Sequence, residues 1–291
     1  MMKFKGTGVA LVTPFNEDGS IDEKGLRKLV DHQVSNGTDF LVVQGTTAET
    51  PTLSEGEKKK VLEIVIDQNA GRLPVVLGMG GNNTSALIEE IKAFKNEKVD
   101  GYLSASPHYN KPSQKGIIEH FKAVSRVSDK PIILYNVPGR TGSNMTAETT
   151  LELSLLDNIV AVKEASGSME QIMNIIQRAP KDFAVLSGDD ALTLPIIAAG
   201  GHGVISVVAN AFPFRFSTLV DAALMGDLET SRKNHYELLK ITELFFAEGN
   251  PAGVKTALKS LNVCGSTLRL PLVNVSDGLK SAIEKEVEKL S

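Results

Sequence analysis

The sequence predicts a (β/α)8 TIM barrel followed by a small C-terminal helical appendage, and three observations carry this prediction. Eight short runs of β-branched and other apolar residues recur, with stretches of helical periodicity between them. The runs are mostly apolar rather than alternating, as in parallel strands that are covered on both faces. Their centres advance from residue 9 to residue 205 in seven steps. The resulting spacing of about 28 residues fits a strand, a crossover helix and two loops.

Each predicted element is bounded by turn residues. The strands are predicted at Val9–Thr13, Phe40–Gln44, Val75–Met79, Gly101–Ser104, Ile132–Tyr135, Ile159–Lys163, Phe183–Ser187 and Val204–Val207. The amphipathic helices are predicted at Glu23–Asn36, Ser54–Ala70, Ser85–Lys95, Lys115–Ser128, Ala147–Leu155 and Ser168–Arg178. Eight strands in this alternation favour a closed barrel over an open doubly wound sheet. No Gly-x-Gly-x-x-Gly follows the first strand, which argues against a dinucleotide-binding fold.

The last part of the chain has helical patterning and little strand signal. We therefore expect a catalytic barrel over residues 1–222 and a helical region over residues 223–291. Gly226 and Asp227 are expected to form a turn between helices. Asn250 and Pro251 are expected to be the N-cap and the first residue of a later helix.

Composition and charge exclude several classes of function. The chain has 31 Lys and Arg against 35 Asp and Glu, a net charge of −4, and no basic run that would favour a nucleic-acid partner. Cys264 is the single cysteine, so no disulfide forms within the chain and a structural residue in a reducing compartment is expected. The apolar run Val9–Val12 is too short for a signal peptide or a membrane span. We expect a cytoplasmic protein that contacts no membrane.

Lys163 is the most informative candidate for catalysis, because in this fold class the carboxyl ends of the strands form the catalytic face. Strand alternation puts Lys163 on the same side as Ala161 and turns Val160 and Val162 towards the helices. Partial burial favours the neutral amine, which can attack a carbonyl carbon and form a Schiff base. The alternatives are a lysine in solvent at the strand end or a structural ion pair with Glu164. Spacing alone does not separate these from catalysis.

Four other polar residues fall at the same face. Tyr135, level with Lys163, could move protons during imine formation, or could pack in the core with its hydroxyl in water. Thr46 and Thr47 could relay a proton or bind a carboxylate, or could belong to a capped turn. Arg140 could bind a substrate carboxylate through two hydrogen bonds, or could be an ordinary surface arginine.

The remaining motifs are less specific. The loop Pro107–Pro112 presents Tyr109 either to a substrate or to another subunit. The five histidines lack the spacing of metal ligands, and most are expected at the surface. The glycine-rich segment Gly200–Gly203 suits a phosphate, but it precedes the eighth strand and so lies at the face opposite the catalytic one. A metal site and a phosphorylated substrate are therefore disfavoured.

Four segments together resemble the dihydrodipicolinate synthase family, within the superfamily that includes N-acetylneuraminate lyase. They are Gly45–Glu49, Tyr135–Gly142, Val162–Ala165 and Leu186–Asp190, and the likeness extends from Gly8 to Pro271. This resemblance implies a homotetramer that condenses pyruvate with aspartate β-semialdehyde to 4-hydroxy-tetrahydrodipicolinate, in lysine and diaminopimelate biosynthesis. No metal or organic cofactor is implied, because an imine between the enzyme and pyruvate is the electron sink.

The resemblance also assigns roles to individual residues. Lys163 would form the imine, and Tyr135, Thr46 and Tyr109 would relay protons, with Tyr109 reaching across a dimer interface. Thr46 and Thr47 would hold the carboxylate of pyruvate, and Arg140 would hold that of the semialdehyde. Gly188 and the backbone carbonyl of Ile205 would also lie at the site.

Alternatives to the synthase come from the same superfamily. One is a pyruvate-dependent aldolase or lyase that acts on a sugar acid, against which Arg140 and the doubled threonine Thr46-Thr47 argue. Another is a non-catalytic ligand-binding relative, motivated by Ala48, where the family usually has glycine.

Regulation is expected to differ from that of the family's lysine-sensitive members. Asn82 fits their lysine-binding pattern, but Lys58, Ala86 and His108 replace the usual His or Glu, Glu, and Tyr. A lysine at position 58 would repel the ammonium group of the ligand, and Ala86 offers it no carboxylate. We therefore expect weak or absent inhibition by lysine.

Overall fold

The computed structural model describes residues 4–291 and contains a closed barrel of eight parallel strands. Each strand pairs with the next along the chain, and the eighth pairs with the first. The strands are β1 (Gly6–Ala10), β2 (Phe40–Val43), β3 (Val75–Gly78), β4 (Gly101–Ala105), β5 (Ile132–Asn136), β6 (Ile159–Glu164), β7 (Ala184–Ser187) and β8 (Gly203–Ser206). The predicted barrel is confirmed.

Helices surround the barrel and continue beyond it. They are α1 (Glu23–Val34), α2 (Glu55–Asn69), α3 (Thr84–Ala93), α4 (Gln114–Val127), α5 (Pro138–Thr141), α6 (Ala147–Leu153), α7 (Met169–Arg178), α8 (Thr193–Ala198), α9 (Pro213–Leu224), α10 (Leu228–Phe246), α11 (Ala252–Ser260) and α12 (Asp277–Leu290). The predicted helical region at the C-terminus is thus confirmed as α10 to α12. Within residues 4–291, no helix combines the length and apolar character needed to cross a bilayer.

Short polar side chains start most of the crossover helices. Ser54 begins α2 with a capping box, in which its hydroxyl accepts the N–H of Glu57 and the Glu57 carboxylate accepts the N–H of Ser54. Side chains that cap a helix N-terminus in the same general way are Asp22, Asn83, Ser113, Thr146 and Ser168. These caps fix where each βα loop ends and therefore which residues are left to form the rim of the barrel.

Two apolar cores fill the molecule, one inside the barrel and one between the strands and the helices. At the amino ends of the strands, the rings of Phe4 and Phe40 lie 5.7 Å apart and fill the interior. Glycine at position 8 makes this possible, because a Cβ there would lie 2.2 Å from the Phe40 ring. Aromatic side chains therefore close one end of the barrel and leave the carboxyl ends of the strands for polar groups.

Two predicted element boundaries are wrong for the same reason. β1 ends at Ala10 rather than at Thr13, because the backbone N–H of Val12 donates to Asn210 Oδ1 at 3.1 Å instead of continuing a strand ladder. α11 begins at Ala252, and Asn250 is not its N-cap. The Asn250 side chain donates to Thr47 Oγ1 instead. In both places a hydrogen bond to a distant segment replaces the bond that the local sequence pattern predicts.

The prediction that most histidines lie at the surface is wrong. His108 alone is exposed, and the other four are half-buried or buried. Hydrogen bonds partly offset the cost of burial: His120 Nδ1 lies 2.9 Å from Thr84 Oγ1, and His202 Nδ1 accepts the N–H of Val185 at 3.1 Å. Burial lowers the pKa of His120 to about 4, so this ring is neutral at physiological pH.

Candidate active site

Lys163 points into the mouth of the barrel. It lies near the end of β6 with only 5% of its surface exposed. Ala161 belongs to the interior core and Val162 packs towards the helices, as predicted, but the prediction for Val160 is wrong. Val160 packs against the interior core, because the pairing of β5 with β6 shifts by one residue at this point. The amine Nζ lies 4.4 Å from the centre of the Tyr135 ring. The solvent-exposed lysine considered as an alternative is therefore wrong.

Glu164 does not neutralise this lysine, because it faces the opposite side of β6. Its Oε1 accepts from Asn136 Nδ2 at 3.0 Å and from the N–H of Ser166 at 2.8 Å, and its Oε2 accepts from Gln171 Nε2 at 3.0 Å. Burial raises the pKa of Glu164 despite these bonds. The alternative of a Lys163–Glu164 ion pair is therefore also wrong.

Tyr135 is aligned with Lys163 by the strand register. The two residues are paired neighbours on β5 and β6, and Tyr135 is 8% exposed. Because both side chains point inward at the same level, the phenol and the amine share one environment. A phenol so placed can give and take protons at an atom bonded to the amine.

A cavity of about 1050 Å³ opens at the carboxyl ends of the strands. It brings together six of the predicted site residues, namely Thr46, Thr47, Tyr135, Arg140, Lys163 and Gly188. Two others do not line it. Tyr109 lies at the surface with 85% of its area exposed and a φ of +74°, and the side chain of Ile205 is buried in the interior core.

The threonine pair lies on a tightly held turn after β2. Thr46–Ala48 forms one turn of 3-10 helix, and Thr13 Oγ1 donates to the carbonyl of Ala48 at 2.8 Å. Thr47 is 3% exposed, and its hydroxyl accepts from Asn250 Nδ2 at 2.9 Å. Ala48 lies outside the left-handed region of backbone space, so alanine fits this position without strain.

Arg140 supplies an unneutralised positive charge at the cavity. The short helix α5 begins with Pro138, and the backbone N–H of Arg140 donates to the carbonyl of Val137 at 2.9 Å. The guanidinium is exposed and forms no ion pair with any described residue. It is therefore free to bind a carboxylate with two parallel hydrogen bonds.

Gly188 leaves space for the lysine. A Cβ at this position would lie 3.1 Å from Lys163 Cε and 2.8 Å from the Cβ of Ala165. Its N–H donates to the carbonyl of Glu164 at 2.8 Å, which fixes the backbone beside the lysine. Lys163 can therefore occupy its observed position because residue 188 has no side chain.

The sequence did not predict that two polar residues, Asp190 and Asn250, lie near the site. Asp190 is 4% exposed and accepts the N–H groups of Val207 and Val208 at 3.0 and 3.2 Å, and burial raises its pKa to about 6. Asn250 lines the cavity beside Thr47. The partner of Asn250 lies 203 residues away, and those of Asp190 lie across one βα unit at 17 and 18 residues, so neither is revealed by spacing within a single element.

Comparison with known proteins agrees with the fold and identifies the family. The Dihydrodipicolinate synthetase family matches residues 3–290. A 4-hydroxy-tetrahydrodipicolinate synthase of Parabacteroides distasonis is 52% identical and covers 94% of this chain and 92% of its own. The crystal structure of dihydrodipicolinate synthase from Aquifex aeolicus is 42% identical with a TM-score of 0.94, over 99% of this chain and 98% of that one.

A further solved structure contains a ligand. It is the dihydrodipicolinate synthase of Acinetobacter baumannii complexed with pyruvate, 35% identical with a TM-score of 0.94 over 98% of each chain. The resemblance carried by the four sequence segments is thereby confirmed over the whole length of the chain. The chain belongs to the Dihydrodipicolinate synthetase family.

Proposed function

We propose that this protein is a 4-hydroxy-tetrahydrodipicolinate synthase, a lyase that condenses pyruvate with aspartate β-semialdehyde. The observation that carries the proposal is Lys163, a buried amine that forms no salt bridge with a described residue and lies beside Tyr135 in the mouth of the barrel. The names of the relatives support the same reaction. The reaction would serve lysine and diaminopimelate biosynthesis.

The chemistry needs one amine and a path for protons. The lysine amine attacks the ketone carbon of pyruvate, and loss of water from the resulting carbinolamine gives an imine. Loss of a methyl proton gives an enamine, whose carbon attacks the aldehyde of the second substrate. The amino group of that substrate then displaces the lysine by transimination and closes the ring. The protonated imine accepts the electron pair, so we propose no metal and no organic cofactor.

The remaining residues bind and orient the substrates. Tyr135, within reach of the amine, would exchange protons with the carbinolamine oxygen, and Thr46 would pass them on. Thr46 and Thr47 would hold the carboxylate of pyruvate, and Arg140 would hold that of the semialdehyde. Gly188 would make room for the imine, and the carbonyl of Ile205 would face it.

We further propose that Tyr109 completes the proton relay from a second copy of the chain. Its exposure suits a contact between subunits, and a homotetramer built from two dimers would provide that contact. Residues 1–222 would form the catalytic barrel, and residues 223–291 would form a helical region against it. The single cysteine suits a cytoplasmic location, and the acidic net charge suits small-molecule substrates rather than nucleic acid.

The test measures pyruvate consumption by the purified protein with and without aspartate β-semialdehyde, together with borohydride trapping of pyruvate. We expect consumption that depends on the semialdehyde and a covalent adduct on Lys163. Lys163→Arg keeps the charge but removes the usable amine, so turnover should fall by about 10³-fold or more and the adduct should disappear.

Lys181→Arg, at an exposed position, is the matched control and should retain both activities. Near-normal turnover by Lys163→Arg would contradict the imine assignment. An adduct without semialdehyde-dependent consumption would favour a sugar-acid substrate instead. Absence of any adduct in the unsubstituted protein would favour a non-catalytic relative.

A further inference from the structure

We propose that a buried ion pair between Glu49 and Lys255 holds the turn that carries Thr46 and Thr47. Both members of the pair are positioning residues, since neither lines the cavity. The inference rests on the proposed function, because it concerns the side of the site that would bind the carboxylate of pyruvate. We call Glu49, Lys255 and Asn250, with their partners, the C-terminal clamp.

Glu49 lies at the junction of two single turns of 3-10 helix, Thr46–Ala48 and Thr50–Thr52. Its φ of +54° is a strained backbone conformation for a residue other than glycine, and its side chain is fully buried. A residue in that conformation persists only where its surroundings fix it. The position of the threonine pair therefore depends on what holds the Glu49 side chain.

The C-terminal region holds both carboxylate oxygens. Lys255 Nζ, on α11 and fully buried, donates to Glu49 Oε1 at 2.5 Å and to the carbonyl of Thr267 at 2.9 Å. The backbone N–H of Arg269 donates to Glu49 Oε2 at 3.0 Å. The Arg269 guanidinium donates to the carbonyl of Thr52 at 2.7 Å and pairs with Glu57. The turn is thus bonded to the C-terminal region at several points.

Asn250 extends the clamp to a predicted substrate ligand. Its Nδ2 donates to Thr47 Oγ1 at 2.9 Å. A hydroxyl has one proton, so a hydroxyl that accepts from Asn250 still has that proton to donate. Thr47 lines the cavity and can direct this proton towards a carboxylate oxygen. Asn250 thereby orients the hydroxyl as well as locating it.

Stability alone is a poor reason for such a pair. Moving two charges out of water costs several kcal/mol for each ion, and apolar residues of similar volume are often equally stabilising or more so. What a fully bonded pair provides is a fixed geometry. The cation also balances the Glu49 carboxylate, which would otherwise be a bare negative charge two residues from the proposed anion-binding threonine.

The clamp acts on one side of the cavity only. Arg140, the proposed ligand of the semialdehyde, lies on α5, whose backbone is bonded to Val137 and Pro138. Loosening the clamp should therefore weaken the binding of pyruvate and leave the binding of the semialdehyde unchanged. A general loss of structure would weaken both.

The experiment compares Glu49→Gln/Lys255→Met, which removes both charges together, with Asn250→Ala, which leaves the ion pair intact. The matched control is Glu237→Gln, which breaks the 2.7 Å pair with Arg215 elsewhere in the C-terminal region. For each folded protein, the half-saturating pyruvate concentration is measured by borohydride trapping, and both KM values are measured in the condensation assay.

We expect both clamp variants to need about tenfold more pyruvate for half-maximal trapping, with the KM for the semialdehyde changed less than twofold and the control unchanged. That tenfold change corresponds to about 1.4 kcal/mol. Unchanged pyruvate affinity in the clamp variants, or an equal rise of both KM values, would overturn the proposal. If the double variant does not fold, Glu49→Gln alone takes its place, because it removes the carboxylate charge and keeps an oxygen that can accept from Lys255 Nζ.

The trapping assay also separates this proposal from the proposed function. It requires only pyruvate, so a protein that traps pyruvate but uses another acceptor still reports on the clamp. An unsubstituted protein that traps no pyruvate would overturn both.

Discussion

At the scale of single residues, strand alternation separates two side chains that adjoin in sequence. Lys163 faces the cavity, while Glu164 faces the helices and is bonded to Asn136, Ser166 and Gln171. This separation keeps Glu164 out of contact with the amine, which an ion pair with that carboxylate would hold in its protonated, unreactive form. The side of Lys163 could be predicted from the sequence because the alternation is regular from Ala161 to Glu164, whereas the register shift at Val160 has no signal in the sequence.

Residues whose partners are distant could not be predicted in this way. Asn250 was assigned to a helix cap because Asn-Pro is a local signal for one, but its side chain is bonded to Thr47, 203 residues away. Glu49 and Lys255 are 206 residues apart, and neither has a neighbour in sequence that reveals the pair. Spacing rules describe one element at a time, so they miss contacts that exist only after the barrel has closed.

Gly188 allows a test at this scale. In Gly188→Ala the new methyl group would lie 2.8 Å from Ala165 Cβ and 3.1 Å from Lys163 Cε, so the lysine must shift. We expect the rate of borohydride trapping of pyruvate to fall by about tenfold or more, because a displaced nucleophile loses its orientation.

The control for this substitution is Gly56→Ala on α2, where a new Cβ meets nothing within 4 Å. It should trap pyruvate at the unsubstituted rate. Equal rates for Gly188→Ala and the control would show that the lysine does not need the space.

At the scale of elements, the apolar runs located all eight strands, and most ends were right to within one or two residues. The largest displacement is in β1, where Leu11 and Val12 are apolar but belong to the loop that meets Asn210. The helix α8 was missed, since Pro195 within it is a helix breaker in sequence terms. The position of that proline in the first turn, where the N–H needs no helical partner, makes it compatible with the helix.

Helices α2 and α3 allow a test of regulation. Lys58 on α2 is bonded to Glu55 at 2.8 Å, and Ala86 near the start of α3 is exposed and offers no carboxylate. We expect lysine to inhibit weakly or not at all, because a cation at position 58 repels the ammonium group of the ligand. The measurement is initial rate against lysine concentration, and half-maximal inhibition at submillimolar lysine would contradict the expectation.

A variant can reverse this prediction. Lys58→His/Ala86→Glu/His108→Tyr places the side chains usual for lysine-sensitive members of the family at these positions. We expect it to become more sensitive to lysine than the unsubstituted protein, with similar activity in the absence of lysine. No gain in sensitivity would mean that other residues determine inhibition.

At the scale of the whole molecule, one end of the barrel is filled by aromatic rings and the other is polar. Phe4 and Phe40 close the amino ends of the strands, and the carboxyl ends carry the cavity. The fold class predicts which end carries the cavity, since the active sites of such barrels lie at the carboxyl ends of the strands. The sequence did not predict that α10 also lines the cavity, because no strand signal connects that helix to the barrel. The residues of α10 that line it are Leu239, Thr242, Glu243 and Phe246.

Asp190 makes the stability of the whole molecule depend on pH. Burial raises its pKa from 3.8 to about 6, so the folded state binds the proton more tightly than the unfolded state does. The stabilisation from this proton is fully present below about pH 3.8 and is lost as the pH rises through 6. Between pH 5 and 7.5 this group alone should lower the free energy of unfolding by about 1.5 kcal/mol.

Asp190→Asn removes the titration and keeps an oxygen that can accept the N–H groups of Val207 and Val208. The difference in unfolding free energy, variant minus unsubstituted protein, should therefore become more positive from pH 5 to pH 7.5. Urea unfolding at the two pH values measures it. A constant difference would show that Asp190 has an ordinary pKa.

The distance along the chain between the two halves of the clamp has a consequence for biosynthesis. Strands β1 and β2 and the turn with Thr46 and Thr47 leave the ribosome early, while Lys255 is translated 206 residues after Glu49. A nascent chain that has not yet reached α11 lacks the cation for Glu49 and the amide for Thr47. On the proposed role of the clamp, the turn with Thr46 and Thr47 is therefore held in its final position only after most of the chain has been translated.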